Sequence, residues 1–141
     1  MKIIGVDLAG NDAVICLLNL ENQQFSLPDC RVRKLTLSKD HTRKDLQQFQ
    51  FAFAKLAGDY KVDLIAIKER MPKGKFAGGA ISFKLESAIQ LIVDLDVLML
   101  SPAKIKSTLA EKPLPILFAN TGLKVFQETA FTVAYAAHVM E

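Results

Sequence analysis

The stretch Lys2-Ile3-Ile4-Gly5-Val6-Asp7-Leu8-Ala9-Gly10-Asn11-Asp12-Ala13-Val14-Ile15-Cys16-Leu17-Leu18-Asn19-Leu20 decides the architecture. Residues 2–9 are β-rich and apolar apart from one acid. Asn11 and Asp12 supply a turn, and residues 13–20 form a second apolar run, so the spacing predicts a hairpin. Residues 21–29 are polar, and residues 31–37 alternate as a half-exposed strand does, which predicts three antiparallel strands. From Thr42 the period changes. Leu46, Phe49, Phe53 and Leu56 recur at helical spacing, with Thr42 as N-cap, Asp45 in the first turn and Gly58 as the stop. A fourth strand over 63–69 precedes a Pro/Gly loop and a helix whose inward stripe is Ile81, Leu85, Ala88, Ile89 and Ile92. A fifth strand over 96–100 leads to Ser101-Pro102, an N-cap followed by proline at the first helical position, with Ile105 and Leu109 inward. Pro113 and Pro115 close that helix. Residues 125–139 are Ala-rich and helical, packing Phe126, Ala130, Val133, Ala134 and Ala137.

Composition sets the outer bounds. Half of the 141 residues are hydrophobic and 23% are charged, which excludes disorder and describes one domain over residues 1–141. A chain of this length buries roughly 68–70% of its unfolded surface, so no disulfide or metal staple is needed for folding. A net charge of +3 permits an anionic partner without demanding one. Cys16 and Cys30 form no CxxC pair and read as buried thiols that are not cross-strand partners. The first apolar run carries Asp7 and no cleavage site, and the longest later one is interrupted by Asp94 and Asp96. A membrane span is thus not expected, and the location read from this is cytoplasmic. His41 and His138 stand in no triad or zinc spacing and read as surface residues.

Three acids stand out. Asp7 lies in a strand expected to be central, where an unpaired carboxylate costs several kcal/mol unless a partner or cation holds it. The plainer reading is an acid at a strand end, turning the chain with Gly10 and Asn11. Glu69 ends the strand Ile65-Ala66-Ile67-Lys68-Glu69-Arg70. By alternation it shares a face with Ile65 and Ile67, while Lys68 and Arg70 point the opposite way. The C-terminal ends of parallel strands line ligand crevices, which favours a site, although an exposed strand-end Glu is equally ordinary. Glu128 opens the last helix, where the macrodipole alone accounts for an acid.

The element order, with three antiparallel strands followed by strands entering through right-handed crossovers, is similar to the ribonuclease H-like fold: a five-stranded mixed sheet flanked by helices, its first strand central. Residues 3–10, the strand ending in Glu69 with its basic loop, the segment Leu98-Met99-Leu100-Ser101-Pro102-Ala103-Lys104-Ile105-Lys106, and Glu128 in an Ala-rich helix resemble the RuvC-type branch of that superfamily. They also resemble a bacterial group of proteins of about this length. The resemblance implies that Asp7, Glu69 and Glu128 are catalytic and hold Mg²⁺ or Mn²⁺, the hard ions that oxygen ligands suit. It implies two ions about 3.5–4 Å apart clamping a scissile phosphate, with a 5′-phosphate and a 3′-hydroxyl as products. The resolvase pattern places a further acid three residues after the first on the terminal helix, and this chain has Phe131 there.

Arg70, Lys73 and Lys75 in the loop after the fourth strand, Lys84 on the next helix, and Lys104 and Lys106 on the one after are expected near the crevice, where they would track a phosphate backbone. The small residues of Lys73-Gly74-Lys75-Phe76-Ala77-Gly78-Gly79 bring a helix N-terminus to the same place. An ordinary solvated loop is the plainer account. Arg31, Arg33 and Lys34 read as protection of an edge strand. Phe76 is expected to pack on Phe83 in preference to stacking on a base. The function expected is therefore a divalent-metal-dependent endonuclease acting on structured DNA or RNA, with a homodimer implied by symmetric junctions. The alternative is a non-catalytic module of the same fold that binds nucleic acid or protein, which Phe131 favours. A third reading compares 6–10 with the first phosphate loop of actin-like ATPases, which need two lobes.

Overall fold

The computed structural model describes residues 1–74 and 78–140. The opening hairpin is β1 (Lys2–Ala9) and β2 (Asp12–Glu21), paired antiparallel from Lys2↔Asn19 to Ala9↔Asp12. Gly10 at the turn has a φ of +61°, which glycine adopts without steric cost. Of the third strand expected over 31–37 only β4 (Lys34–Thr36) forms, and a further short strand, β3 (Gln24–Ser26), arises in the stretch read as polar; both pair with the outer edge of β2. The sheet therefore has six strands where the sequence predicted five. Residues 27–32 leave the ladder because Pro28 has no N–H to give it. Arg33 rejoins it by accepting from the Ile15 N–H at 2.9 Å.

Helix α1 (Arg43–Asp59) starts on a capping box in which the Thr42 hydroxyl accepts from the Asp45 N–H and the Asp45 carboxylate from the Thr42 N–H. Strand β5 (Leu64–Lys68) pairs parallel with β1, and β6 (Val97–Leu100) pairs parallel with β5. The order β3-β2-β1-β5-β6 places β1 at the centre, as expected. Between them runs α2 (Ala80–Gln90), and after β6 come α3 (Pro102–Glu111) and α4 (Glu128–Val139). The residues just before α4, Val125–Gln127, form a 3₁₀ turn. Among the described residues no helix is long and apolar enough to cross a membrane.

Alternation divides the core into two layers. Ile4, Val6, Leu8, Ile15, Leu17, Ile65 and Ile67 pack on Phe49, Phe53 and Leu56 of α1 and on Leu85 and Ile89 of α2. Ile3, Val14, Cys16, Leu18 and Ala66 pack on Ile105 of α3 and on Ala130, Val133 and Ala134 of α4. Gly5 lies under α4, where a Cβ would come 2.1 Å from the Ala130 carbonyl oxygen and 2.6 Å from the Ala134 nitrogen. Only glycine lets the helix backbone approach a central strand this closely.

Three smaller expectations change. Phe126 is exposed, because the 3₁₀ turn rotates it out of the core, and the Lys34 ammonium lies 5.3 Å from its ring centre. Cys16 is buried but Cys30 is only half-buried, and both are free thiols. His138 is half-buried: its Nε2–H donates to the Leu18 carbonyl at 2.8 Å and its ring meets Phe25 edge-on. Lys75 and Phe76 lie outside the described residues.

Candidate functional site

Asp7 is half-buried in β1 opposite Val14 of β2. It follows Ile3 and Gly5 in parity, so its carboxylate leaves the sheet on the α4 side. The direction of α4 follows from two hydrogen bonds. Gln127, at its start, donates through Nε2 to the Ile15 carbonyl at 2.9 Å, and His138, near its end, donates to Leu18. Ile15 pairs with Val6 and Leu18 with Ile3, so α4 runs antiparallel to β1. Its positive end, with the exposed Glu128, therefore lies at the end of the sheet that carries Asp7.

The β5 side of Asp7 is basic. Val6 pairs with Ile67, so the next in-register neighbour along the two parallel strands is Lys68. Lys68 shares parity with Ala66, and both belong to the α4 face. Burial pushes the Asp7 carboxyl above its usual range, and the positive charges of Lys68 and then Arg70 pull it back down. Arg70 lies beyond the strand end. Its N–H donates to Glu86 Oε2 on α2 at 3.0 Å, and its guanidinium lies against Gly78, where a Cβ would stand 2.6 Å from Nε. Among the described residues that buried Nε has no hydrogen-bond partner.

Glu69 stands on the rim. Its N–H continues the ladder to the Leu100 carbonyl at 2.8 Å one residue past the end of β5, and its side chain is exposed. With Lys68, Arg70, Met71, Lys73, Gly74 and Pro102 it lines a cleft of ≈ 420 Å³ at the C-terminal end of β5. Lys104 and Lys106 are exposed on α3, whose N-cap Ser101 accepts from the Lys104 N–H at 3.1 Å. Lys84 is elsewhere. It lines a groove between α1 and α2 with Arg43 and Leu46, and its ammonium donates to His41 Nε2 at 2.9 Å. The α2 start has Gly79 as N-cap, with no side chain capping it.

A divalent ion needs several oxygen ligands converging on one point. Among the described residues no group of three or more His, Cys, Asp or Glu side chains is placed to hold one. Asp7 and Glu128 share one end of the sheet, Glu69 stands exposed on the rim beyond β5, and the in-register neighbour of Asp7 on β5 is a lysine. The residues present do not fit the ion as a preformed centre. Phe131, at the position of the further acid, is buried in the α4 layer against Phe118, ring centres 6.0 Å apart. The residues that sequence reasoning passed over here are Lys68 and Glu86. The alternation of 65–70 already separated Lys68 from Glu69, but which face carries Asp7 depends on strand register.

Several solved structures share this fold. RuvC of Thermus thermophilus superposes with a TM-score of 0.74 at 10% identity, over 96% of this chain and 92% of that one. The same protein in complex with a Holliday junction substrate gives 0.70 at 11%, over the same shares of the two chains. The Fowlpox virus resolvase, in complex with Holliday junction DNA, gives 0.54 at 12% over 100% of both chains. These similarities show a ribonuclease H-like fold. None of the curated proteins matches the sequence. Across residues 1–137 the chain matches, and belongs to, the family described as Protein of unknown function (DUF3010).

Proposed function

We propose that this chain binds structured nucleic acid, DNA or RNA, along the edge formed by the C-terminal ends of β1, β5 and β6, and that its fold serves there as a binding scaffold. The observation that carries the reading is the cleft at the end of β5, where Lys68, Arg70 and Lys73 surround one acid, Glu69. Lys104 and Lys106 extend the basic track along α3, and Lys75, two residues after Lys73 in sequence, lies outside the described residues. Such contacts supply affinity through phosphates and carry no sequence information, so shape decides the substrate. The two junction-bound resolvases support a branched one. A homodimer would match the symmetry of a four-way junction.

The test is fluorescence anisotropy with a four-way junction and with linear duplex of equal length, in EDTA. Tighter binding of the junction, weakened in Arg70→Ala and Lys73→Ala, is the expected result. Equal or absent binding at low salt removes the reading, and sedimentation of the same samples reports the dimer.

A second reading is metal-dependent hydrolysis of phosphodiester bonds through Asp7, Glu69 and Glu128 with Mg²⁺ or Mn²⁺. One observation favours it: the antiparallel run of α4 brings Glu128 to the Asp7 end of the sheet. On this reading purified protein with Mn²⁺ is expected to cut junctions, and Asp7→Asn to abolish cutting while leaving the fold intact. No cutting across branched and hybrid substrates eliminates it.

A further inference from the structure

We infer that Lys68 is a resident cation, an ammonium that balances Asp7 from the neighbouring strand and makes the binding edge independent of divalent metal. The inference deepens the binding reading and rests on it. Three observations on the structure combine.

The first is register. The β1–β5 ladder pairs Ile3 with Leu64, Ile4 with Ile65, Gly5 with Ala66 and Val6 with Ile67, and both strands continue by at least one residue. Asp7 and Lys68 thus stand side by side on adjacent strands, about 4.8 Å apart in the backbone, with both side chains on the α4 face. The second is the balance of charge at that spot. Asp7 has Lys68 and Arg70 as its charged neighbours, and no group of three metal-ligating side chains forms among the described residues. A divalent ion placed beside Asp7 would meet two positive charges. The third is chemical selectivity. An ammonium on a four-carbon stem can reach both a carboxylate and a phosphate oxygen, and its three donors are not confined to one direction. Lys68 also borders the cleft that begins at the end of β5, so it can face Asp7 on one side and an incoming phosphate on the other. Its position thereby links the half-buried acid of the sheet to the exposed basic track.

The consequence is a switch of ion class at one position. With Lys at 68 the positive charge on the neighbouring strand opposes a cation at Asp7. Lys68→Glu turns the same register into two adjacent carboxylates on one face, with the positive end of α4 and Glu128 at the same end of the sheet. Charge reversal one strand spacing away is worth at least about tenfold in affinity for a cation.

The experiment titrates MnCl₂ into the full chain without nucleic acid, following heat by calorimetry and free Mn²⁺ by electron paramagnetic resonance. Wild type is expected to give only the heat of dilution and an undiminished free-ion signal. Lys68→Glu is expected to bind Mn²⁺ at least about tenfold more tightly than wild type, and Asp7→Asn in that background to abolish the gain. Stoichiometric Mn²⁺ binding by wild type that Asp7→Asn removes overturns the inference, as does a folded Lys68→Glu protein no better than wild type. If Lys68→Glu does not fold, as judged by circular dichroism, Lys68→Gln decides. Its junction binding should fall about tenfold in EDTA and recover on adding Mn²⁺, because the ion then replaces the missing charge. Unchanged binding in EDTA, or a loss that Mn²⁺ does not restore, overturns the inference. The metal titration contains no nucleic acid, so its failure is distinct from a failure of junction binding.

Discussion

A methyl group added at Gly5 would enter the backbone of α4, not the tip of a flexible side chain, so neither partner can yield cheaply. Gly5→Ala is therefore expected to destabilise the protein by about 3 kcal/mol or more, the upper end for overpacking, measurable as a lowered urea midpoint at unchanged slope. Two residues on, Asp7 makes the opposite kind of demand. Burial raises its folded-state value above the usual 3.8, so the folded state holds the proton more tightly than the unfolded chain. Stability from this group is then lost as pH rises from about 3.8 through the raised value. Asp7→Asn should be more stable than wild type at pH 7, and the difference should vanish below pH 3.8. Lys68→Gln should push the Asp7 carboxyl higher still, which carbon-13 titration of the carboxyl would show; no rise would mean that Lys68 does not act on Asp7. Asp7 was legible in the sequence because an acid in an apolar strand is costly. Its face was not, because Ile3, Ile4, Val6 and Leu8 are large and apolar on both parities. Only the contact between Gly5 and Ala130 reveals which side the last helix covers.

Elements were read where local chemistry is strong. Thr42 and Asp45 announce α1, and the capping box forms as its residue types require. Thr42→Ala should cost about 1 kcal/mol in denaturation, while a surface change such as Gln48→Ala should cost little. Ser101-Pro102 likewise fixes the start of α3. The reading failed where pairing is decided at long range. Residues 24–36 contain one alternating segment, yet β2 takes two short partners, because the chain must leave its edge at Pro28 and return at Arg33. The half-burial of His138 is invisible in the sequence for a similar reason, since nothing local shows that its ring closes α4 onto β2 through the Leu18 carbonyl. Burial lowers its folded-state value below the usual 6.5, so its contribution is complete at higher pH and is lost as pH falls through 6.5 toward the lowered value. Wild type should therefore lose stability between pH 7 and pH 5 by a step that His138→Gln lacks. Equal pH profiles for the two proteins would show that the imidazole is not held neutral in the fold.

At the scale of the whole molecule, a shape shared with resolvases at 10–12% identity means that the topology is set by pattern and packing, not by particular side chains. In this chain the modest net charge of +3 is unevenly placed. Arg31 and Lys34 are engaged with Asp59 and Asp12 at 2.9 and 3.8 Å on the β4 side, and Lys84 with His41 near the start of α1. Lys68, Arg70 and Lys73, by contrast, gather at the end of β5, and Lys104 and Lys106 lie exposed on the helix that begins beside it. If these five cations each meet a phosphate, the logarithm of the junction affinity should fall with the logarithm of salt concentration with a slope of about −4 to −5. Lys104→Ala with Lys106→Ala should make that slope shallower by about 2 while lowering affinity for every nucleic acid alike. Lys84→Ala, on the far groove, should leave the slope unchanged. Anisotropy titrations at several salt concentrations measure all three proteins. A double variant with the wild-type slope would place α3 outside the interface, and a shallower slope in Lys84→Ala would move the track to the groove between α1 and α2.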